Sequence, residues 1–319
     1  AKLFPRARGR FAFVDRANTI YPKGFASKVE EQLHKMTSLR LTDEEADFLS
    51  RECPYIPPFY IDYLRGYQFD PREVEVCQDE EGHLHITAEG LLYRITLWET
   101  PILAIVSELY YLVTGQEPDL EHVRKVTIEK AQIMKEHKLQ VSLFGMRRRF
   151  SAEVEDTVTQ LLKEHAGESL YGTSNVYYAM KHHLRVTGTH PHEWVQFHAA
   201  IYGYKMANYM AMEDWINVYD GDLGTVLTDT YTTDVFMQNF SKKHAMLFTS
   251  MRHDSGDPYA FVEKAIKRYE ELKINPMLKY IVFSDSLTIP KAVEIKEYCA
   301  SRIPATFGVG TNLTNDVGN

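Results

Sequence analysis

The sequence predicts an α/β protein whose larger part is a parallel sheet or barrel, on three observations. From about residue 141 short apolar runs recur: "VSLFGMRRR", "SLYGTSN", "RVTGTHPHE", "TVLTDTYTTD", "LFTSMRHDSGD", "YIVFSDS" and "ATFGVGTN". Each ends in a small or charged cluster, and several are separated by helical stretches, which is the strand–cluster–helix repeat of parallel α/β folds. The clusters fall at the carboxyl ends of the expected strands, where such folds carry their sites. Clusters at essentially every strand end fit a closed ring of about seven strands better than one crevice; a doubly wound sheet is the alternative.

Residues 1–140 mix strands and helices and form a first domain, with 141–319 as the second. "AKLFPRARGRFAFVDR" runs into an alternating strand. Phe25–Leu39 is helical by spacing, with Phe25, Val29, Leu33 and Met36 on one face. Thr42–Arg51 opens with an N-cap-like threonine ahead of an acidic first turn. "EVEVCQDEEGHLHITAEG" reads as a hairpin around a turn containing Gly82. In "LWETPILAIVSELYYLVTG", Thr100 is placed at an N-cap and Pro101 at the first helical position. Ile102, Ile105, Val106, Leu109 and Leu112 follow at helical spacing, and Gly115 ends the run. Further on, Ser151–Glu164 and Pro258–Leu272 have the same helical texture. Ala1 is not an initiator methionine, and "FGVGTNLTNDVGN" stops just after a glycine-rich turn. The protein is therefore expected to extend beyond both ends.

The bulk numbers exclude several classes. The 319 residues are 44% hydrophobic and 25% charged, an ordinary globular balance. A net charge of -8 argues against a general nucleic-acid binder, which needs a Lys/Arg surplus to neutralise phosphates. Cys53, Cys77 and Cys299 are scattered and odd in number, so they suit a reducing compartment and give neither a disulfide framework nor a zinc site. No apolar run reaches transmembrane length and the start lacks a signal peptide's apolar core. The expectation is a soluble, cytoplasmic protein with no membrane partner.

The clusters carry the chemistry. "FGMRRRF" is expected to end a strand with Phe144 and start a helix with Arg147, Arg148 and Arg149. Arginines there oppose the helix dipole, and a bound phosphate or carboxylate would relieve the conflict; the competing reading is a solvated basic face. "YGTSN" and "FGVGTN" combine glycine, hydroxyl and amide groups that suit phosphate oxygens, although either is equally readable as a plain strand–helix turn. In "RHDSGDP", Asp257 and Pro258 start a helix, which leaves Arg252 and Asp254 at the strand end for an anion and a sugar hydroxyl. Asp229 in "LTDT" and Asp285 in "FSDS" are further strand-end carboxylates, with helix capping as their other reading. Guanidiniums together with several carboxylates suit a sugar phosphate bound with Mg²⁺, with pyrophosphate as a leaving group.

"RVTGTHPHEW" places His190 and His192 two residues apart. A metal pair needs a third ligand, and Pro191 disrupts the alternation that would aim both rings one way. A histidine among phosphate-binding turns, held by a carboxylate, is instead suited to accept a phosphoryl group. The other histidine is expected to be an exposed loop residue, and His190 is assigned that part.

With these motifs in order, the chain resembles the nicotinate phosphoribosyltransferase family of NAD salvage. "LWETPILAIVSE", "FGMRRRFS", "GTSN", "GTHPHEW", "LTDTYTTD", "RHDSGDP", "VFSDSL" and "FGVGTNL" follow the family's order through nearly the whole sequence. The resemblance implies an N-terminal α/β sandwich domain, an irregular, TIM-like α/β barrel, and homodimers with active sites at the subunit interface. It implies nicotinate, phosphoribosyl pyrophosphate and ATP as substrates, Mg²⁺ with the two phosphate donors, and transient phosphorylation of His192. By the same resemblance Asp229 orients that histidine, Phe144 stacks on the pyridine ring, and Arg147 and Arg252 surround its carboxylate and the phosphates. Asp254 and Asp285 stand on the ribose side, and Gly308, Gly310 and Thr311 resemble the 5′-phosphate turn. Ser174 stands where related nicotinamide-using enzymes carry an aspartate, so serine favours the acid over the amide. Two family features lie outside this chain: a TDxYKxxM-like element before the first strand, and the continuation beyond the last phosphate turn.

Overall fold

The computed structural model describes residues 1–318. Two compact units divide the chain. The first comprises Ala1–Val123, Gly145–Thr157 and the residues from Thr314 onward; the second comprises Arg124–Phe144 and Val158–Leu313. Among the described residues, no helix is long and apolar enough to cross a membrane.

The first unit is built on a three-stranded antiparallel sheet of β1 (Arg8–Ala12), β2 (Val74–Gln78) and β3 (Leu84–Leu91), in the order β1–β3–β2. Central β3 alternates strictly, burying Leu84, Ile86, Ala88 and Gly90. One face of a pleated strand is thereby apolar, and the helix Phe25–Lys35 covers it with Phe25, Val29 and Leu33. Full burial of each such side chain stabilises the unit by about 1.5–3 kcal/mol before the entropy cost of ordering it. Asp43–Glu52 begins with a capping box: Thr42 Oγ1 accepts from the Glu45 amide while Glu45 accepts from the Thr42 amide.

The long apolar helix departs from expectation at its start. It runs Glu99–Thr114 and follows directly on the helical turns Leu92–Ile95 and Thr96–Trp98, so Thr100 is not its cap. Pro101 is tolerated because it still lies in the first turn, where an amide has no carbonyl of its own helix to lose. The run ends at Gly115 in the left-handed region, φ 69°, as its composition requires.

The second unit holds a six-stranded parallel sheet: β4 (Val141–Leu143), β5 (Leu170–Thr173), β6 (Thr225–Leu227), β7 (Ser250–His253), β8 (Tyr280–Phe283) and β9 (Ala305–Val309). Their order is β5–β4–β9–β8–β7–β6. Val141, Val226, Met251, Ile281, Phe283 and Val309 are completely buried, as expected for a parallel sheet covered on both faces. The α/β class and the parallel sheet are as the sequence predicts.

Among the described residues no ladder joins the edge strands β5 and β6, so the sheet is not a closed hydrogen-bonded ring. The run "RVTGTHPHE", expected as a strand, instead makes isolated contacts, two hydrogen bonds to one edge and one to the other. Thr173 donates its amide to Arg185 O (3.0 Å) and accepts at its carbonyl from the Thr187 amide (3.0 Å), and the His190 amide donates to Thr225 O (3.1 Å). Pro191 then removes a donor, and the chain turns into the helix His192–Tyr202. Six ladder strands and one irregular segment therefore surround the ends that carry the polar clusters.

Candidate active site

Strands β6, β7 and β8 each deliver a polar residue just beyond the last ladder pair. In the parallel register Leu227 lies opposite Arg252, and His253 opposite Phe283. Asp229, Asp254 and Ser284 therefore emerge together at one end of β6, β7 and β8. Asp229 and Asp285 are not helix caps, since Thr232 caps Thr233–Asn239 and Thr288 caps Ile289–Cys299. Asp257 does cap Pro258–Glu271, accepting from the Ala260 amide at 2.9 Å. The capping duty thus falls on Asp257 and leaves Asp254 to the site.

His192 is the first residue of its helix, with its side chain 42% exposed. Its Nε2 lies 3.2 Å from Asp229 Oδ1 and 3.9 Å from Asp254 Oδ2. Asp229 Oδ2 in turn accepts from the Ser255 hydroxyl at 2.6 Å. Burial pushes the Asp229 carboxyl up, but His192 and Ser255 together outweigh it and hold the group below the usual carboxylate range. Asp229 is therefore an anion at neutral pH, facing one imidazole nitrogen.

Arg252 is mostly buried and engaged on three sides. Nε donates to Ser284 Oγ, Nη1 to Thr189 Oγ1 and Nη2 to Asp254 Oδ1, each at 2.7 Å. Ser284 Oγ also lies 2.5 Å from Asp254 Oδ1, so the guanidinium meets a paired hydroxyl and carboxylate. A guanidinium has five N–H groups, so two remain for an anion. Asp254 thus touches both the arginine and the histidine neighbourhood through its two oxygens.

The remaining predicted residues of this unit lie at the ends of β4, β5, β8 and β9. Phe144 is half-buried and donates its amide to Val309 O at 2.8 Å. Its ring lies against the backbone of Gly308: a Cβ there would come within 2.4 Å of Phe144 Cδ2. Glycine at 308 is thus required by the approach of the aromatic ring. Ser174 is exposed and donates its amide to Leu143 O at 3.0 Å, which sets it beside Phe144 across the β4–β5 edge. Asp285 is half-buried and accepts from the Ser286 hydroxyl. Gly310 is half-buried and Thr311 exposed where β9 turns into the short helix Thr311–Thr314.

Two expectations need correction. His190 is not an exposed loop histidine: it is completely buried, edge-on to Trp215 with ring centroids 4.6 Å apart. Burial pushes its pKa down to about 3, with His198, His192 and Arg252 adding repulsion, so the ring is neutral at physiological pH. The arginines of "FGMRRRF" do not open a helix either. Met146–Arg148 is a single 3₁₀ turn and the helix starts later, at Ala152. The dipole conflict therefore does not arise, and all three arginines belong to the first unit. There Arg147 donates to Glu99 (2.6 Å), Arg148 is exposed, and Arg149 bridges Glu108 and Glu155.

Sequence reasoning missed three hydroxyls, Thr189, Ser255 and Ser284. Each orients a charged group, but a lone serine or threonine in a polar cluster gives no local signal of that. The only cue was that each lies next to, or two residues from, a residue singled out for chemistry.

Comparison with known proteins gives the family. Residues 139–319 match the nicotinate phosphoribosyltransferase (NAPRTase) family, and residues 1–107 match its N-terminal domain. The chain belongs to the nicotinate phosphoribosyltransferase family. The nicotinate phosphoribosyltransferase of Chromohalobacter salexigens is 44% identical over 318 residues, covering 99% of this chain and 81% of the relative. That of Methanosarcina mazei is 37% identical, covering 99% and 82%. Among crystal structures, nicotinate phosphoribosyltransferase from Porphyromonas gingivalis superimposes with a TM-score of 0.98 at 66% identity, over 100% of this chain and 82% of that one. The Vibrio cholerae nicotinate phosphoribosyltransferase gives 0.94 at 30% identity, over 99% and 77%. Membership of the nicotinate phosphoribosyltransferase family thus covers both the antiparallel unit and the parallel sheet with its clusters.

Proposed function

We propose that this protein transfers phosphoribose from phosphoribosyl pyrophosphate to the ring nitrogen of nicotinate, giving nicotinate mononucleotide and pyrophosphate, and that ATP drives the reaction through phosphorylation of His192. The observation that carries the reading is the His192–Asp229 contact within the arginine–carboxylate cluster of a chain of this family. In the transfer, the C1′–O bond to pyrophosphate breaks with both electrons leaving on oxygen, and the pyridine nitrogen lone pair forms the new C1′–N bond. The sugar centre becomes oxocarbenium-like, so groups that stabilise the departing anion lower the barrier. Arg252 retains two N–H groups for that purpose, and Asp254 and Asp285 are oxygen donors of the type that Mg²⁺ and ribose hydroxyls take. Mg²⁺ brought in with the phosphate donors would be held by these carboxylates and would offset pyrophosphate charge. Phe144 offers a face for the pyridine ring, and Ser174 beside it leaves no carboxylate to repel nicotinate.

His192 suits the phosphoryl step and His190 does not. With Nε2 facing Asp229, Nδ1 is the nitrogen whose lone pair attacks the γ-phosphorus of ATP, expelling ADP; later hydrolysis returns free histidine and phosphate. His190 is sealed from any phosphate donor by its burial. The test is a pyrophosphate-release assay with nicotinate and nicotinamide side by side, with and without ATP, on the unaltered protein and His192→Ala. Nicotinate is expected to be preferred and ATP to stimulate only the unaltered protein. Undiminished ATP stimulation in His192→Ala removes the phosphohistidine, and a preference for nicotinamide removes the substrate assignment. We further propose a homodimeric assembly for the active enzyme, to be measured by analytical ultracentrifugation.

A further inference from the structure

The geometry points to Thr189 as a positioning residue for Arg252: its hydroxyl fixes the guanidinium offered to the anionic substrate and ties it to the segment that presents His192. The inference rests on the reaction proposed above and assigns a part to a residue that the motif chemistry left idle.

Arg252 is gripped on two separate edges. Nε and Nη2 meet Ser284 Oγ and Asp254 Oδ1, which lie on or just beyond the neighbouring strands β8 and β7. Nη1 meets Thr189 Oγ1, on the irregular segment, at 2.7 Å. A planar guanidinium held along one edge still pivots about it; a third contact on the other terminal nitrogen fixes the plane. Ordering this long side chain before the substrate arrives removes an entropy cost from binding, which is why the third contact matters for affinity.

Thr189 is able to do this because its own position is determined. The Thr187 amide bonds Thr173 O, at the end of β5, and the His190 amide bonds Thr225 O, at the start of β6. The hydroxyl is therefore held between two main-chain anchors, one to each edge strand of the sheet. Only one buried residue and one proline separate it from His192. Asp254 makes the second connection, with one oxygen on Arg252 and the other 3.9 Å from His192 Nε2. Arg252 and His192 are thus linked by two short routes, one through a carboxylate and one through Thr189 and the chain.

The discriminating experiment compares Thr189→Val, which keeps the β-branched shape and removes the acceptor, with Thr189→Ser, which keeps the acceptor. Pyrophosphate release by the whole chain is measured while nicotinate and phosphoribosyl pyrophosphate are varied separately. Thr189→Val is expected to raise KM for at least one of the two anionic substrates about tenfold, the effect of losing one hydrogen bond to a charged group. The change in kcat is expected to be smaller, and Thr189→Ser is expected to restore KM. A purely structural threonine would instead lower Tm and kcat with no specific rise in KM. Unaltered KM values in Thr189→Val, or failure of serine to restore them, overturn the proposal. Should the valine variant not fold, Thr189→Ala carries the same expectation. If the unaltered protein releases no pyrophosphate, the reaction assignment falls by itself. Calorimetric titration of pyrophosphate into the same proteins then decides Thr189, and equal affinities overturn it.

Discussion

Replacing Asp229 by asparagine removes one charge and almost no volume at the contact that carries the functional reading. Asparagine can still accept from Ser255, so the loss is confined to the side facing His192. At 3.2 Å the energy between the Asp229 carboxylate and a full positive charge developed on the ring as Nδ1 attacks runs from about 1.3 kcal/mol in bulk water to about 5 kcal/mol at an effective dielectric of 20. His192 is 42% exposed, so the value lies near the lower limit, about 1.5–2 kcal/mol, or roughly ten- to thirtyfold in rate. The assay is acid-labile transfer of radiolabel from γ-labelled ATP, together with the ATP-dependent increment in pyrophosphate release. Both are expected to fall by that factor in Asp229→Asn, with ATP-independent turnover less affected. The pH dependence has a definite sign. Asp229 sits below the usual carboxylate range, so its stabilisation is fully present above about pH 4 and is lost as pH falls through the lowered folded value. The variant should therefore be less stable than the parent at pH 7 and converge with it at strong acid. Labelling within twofold of the parent refutes the role of Asp229.

Other consequences are as sharp. His190 is buried with its pKa near 3, whereas the unfolded chain protonates it near 6.5, so stability falls as pH drops below 6.5. The loss is about 2 kcal/mol by pH 5, and urea unfolding of His190→Phe should show a correspondingly flatter pH profile between pH 7 and 5. Asp257→Ala removes the cap of Pro258–Glu271 and should cost about 1 kcal/mol in urea unfolding, with KM unchanged. In Gly308→Ala the new methyl carbon meets the Phe144 ring, so the ring must move and KM for nicotinate should rise in a steady-state assay. Ser174→Asp places a carboxylate beside Phe144 and should shift the nicotinate-to-nicotinamide preference towards the amide in a competition assay.

Much of the fold was legible because local rules and tertiary packing agree. Thr42 with Glu45, the Gly82 hairpin and Asp257 with Pro258 are patterns whose physics closes within a few residues. The strand-end clusters were legible for a related reason: parallel strands must emerge at one end, so their following residues meet without any knowledge of side-chain geometry. The misreadings occur where distant residues decide. Pro101 looked like a helix start, but the preceding turns from Leu92 had already set the helical path. The three arginines looked like a helix terminus, but carboxylates at Glu99, Glu108 and Glu155 meet Arg147 and Arg149, and only the single 3₁₀ turn Met146–Arg148 forms there.

The histidine pair shows the same principle at the site. Two residues apart around a proline, His190 and His192 share almost the same local sequence environment, and neither periodicity nor charge separates them. Their surroundings do. Trp215 on a later helix encloses one ring and strips it of charge, while the turn into the helix at His192 leaves the other open beside two carboxylates. On the proposed reading those carboxylates have opposing effects. Asp229 and Asp254 stabilise positive charge that develops on the ring as Nδ1 attacks, yet both repel the phosphoryl group placed upon it. That repulsion is tolerable only where a cation answers it, and Arg252 lies against Asp254 with two N–H groups uncommitted. A phosphate on His192 would thus draw on the same guanidinium that serves the substrate anion. This competition supplies a physical route by which phosphorylation and hydrolysis at His192 alter substrate affinity: the state of the ring changes what Arg252 has left to offer.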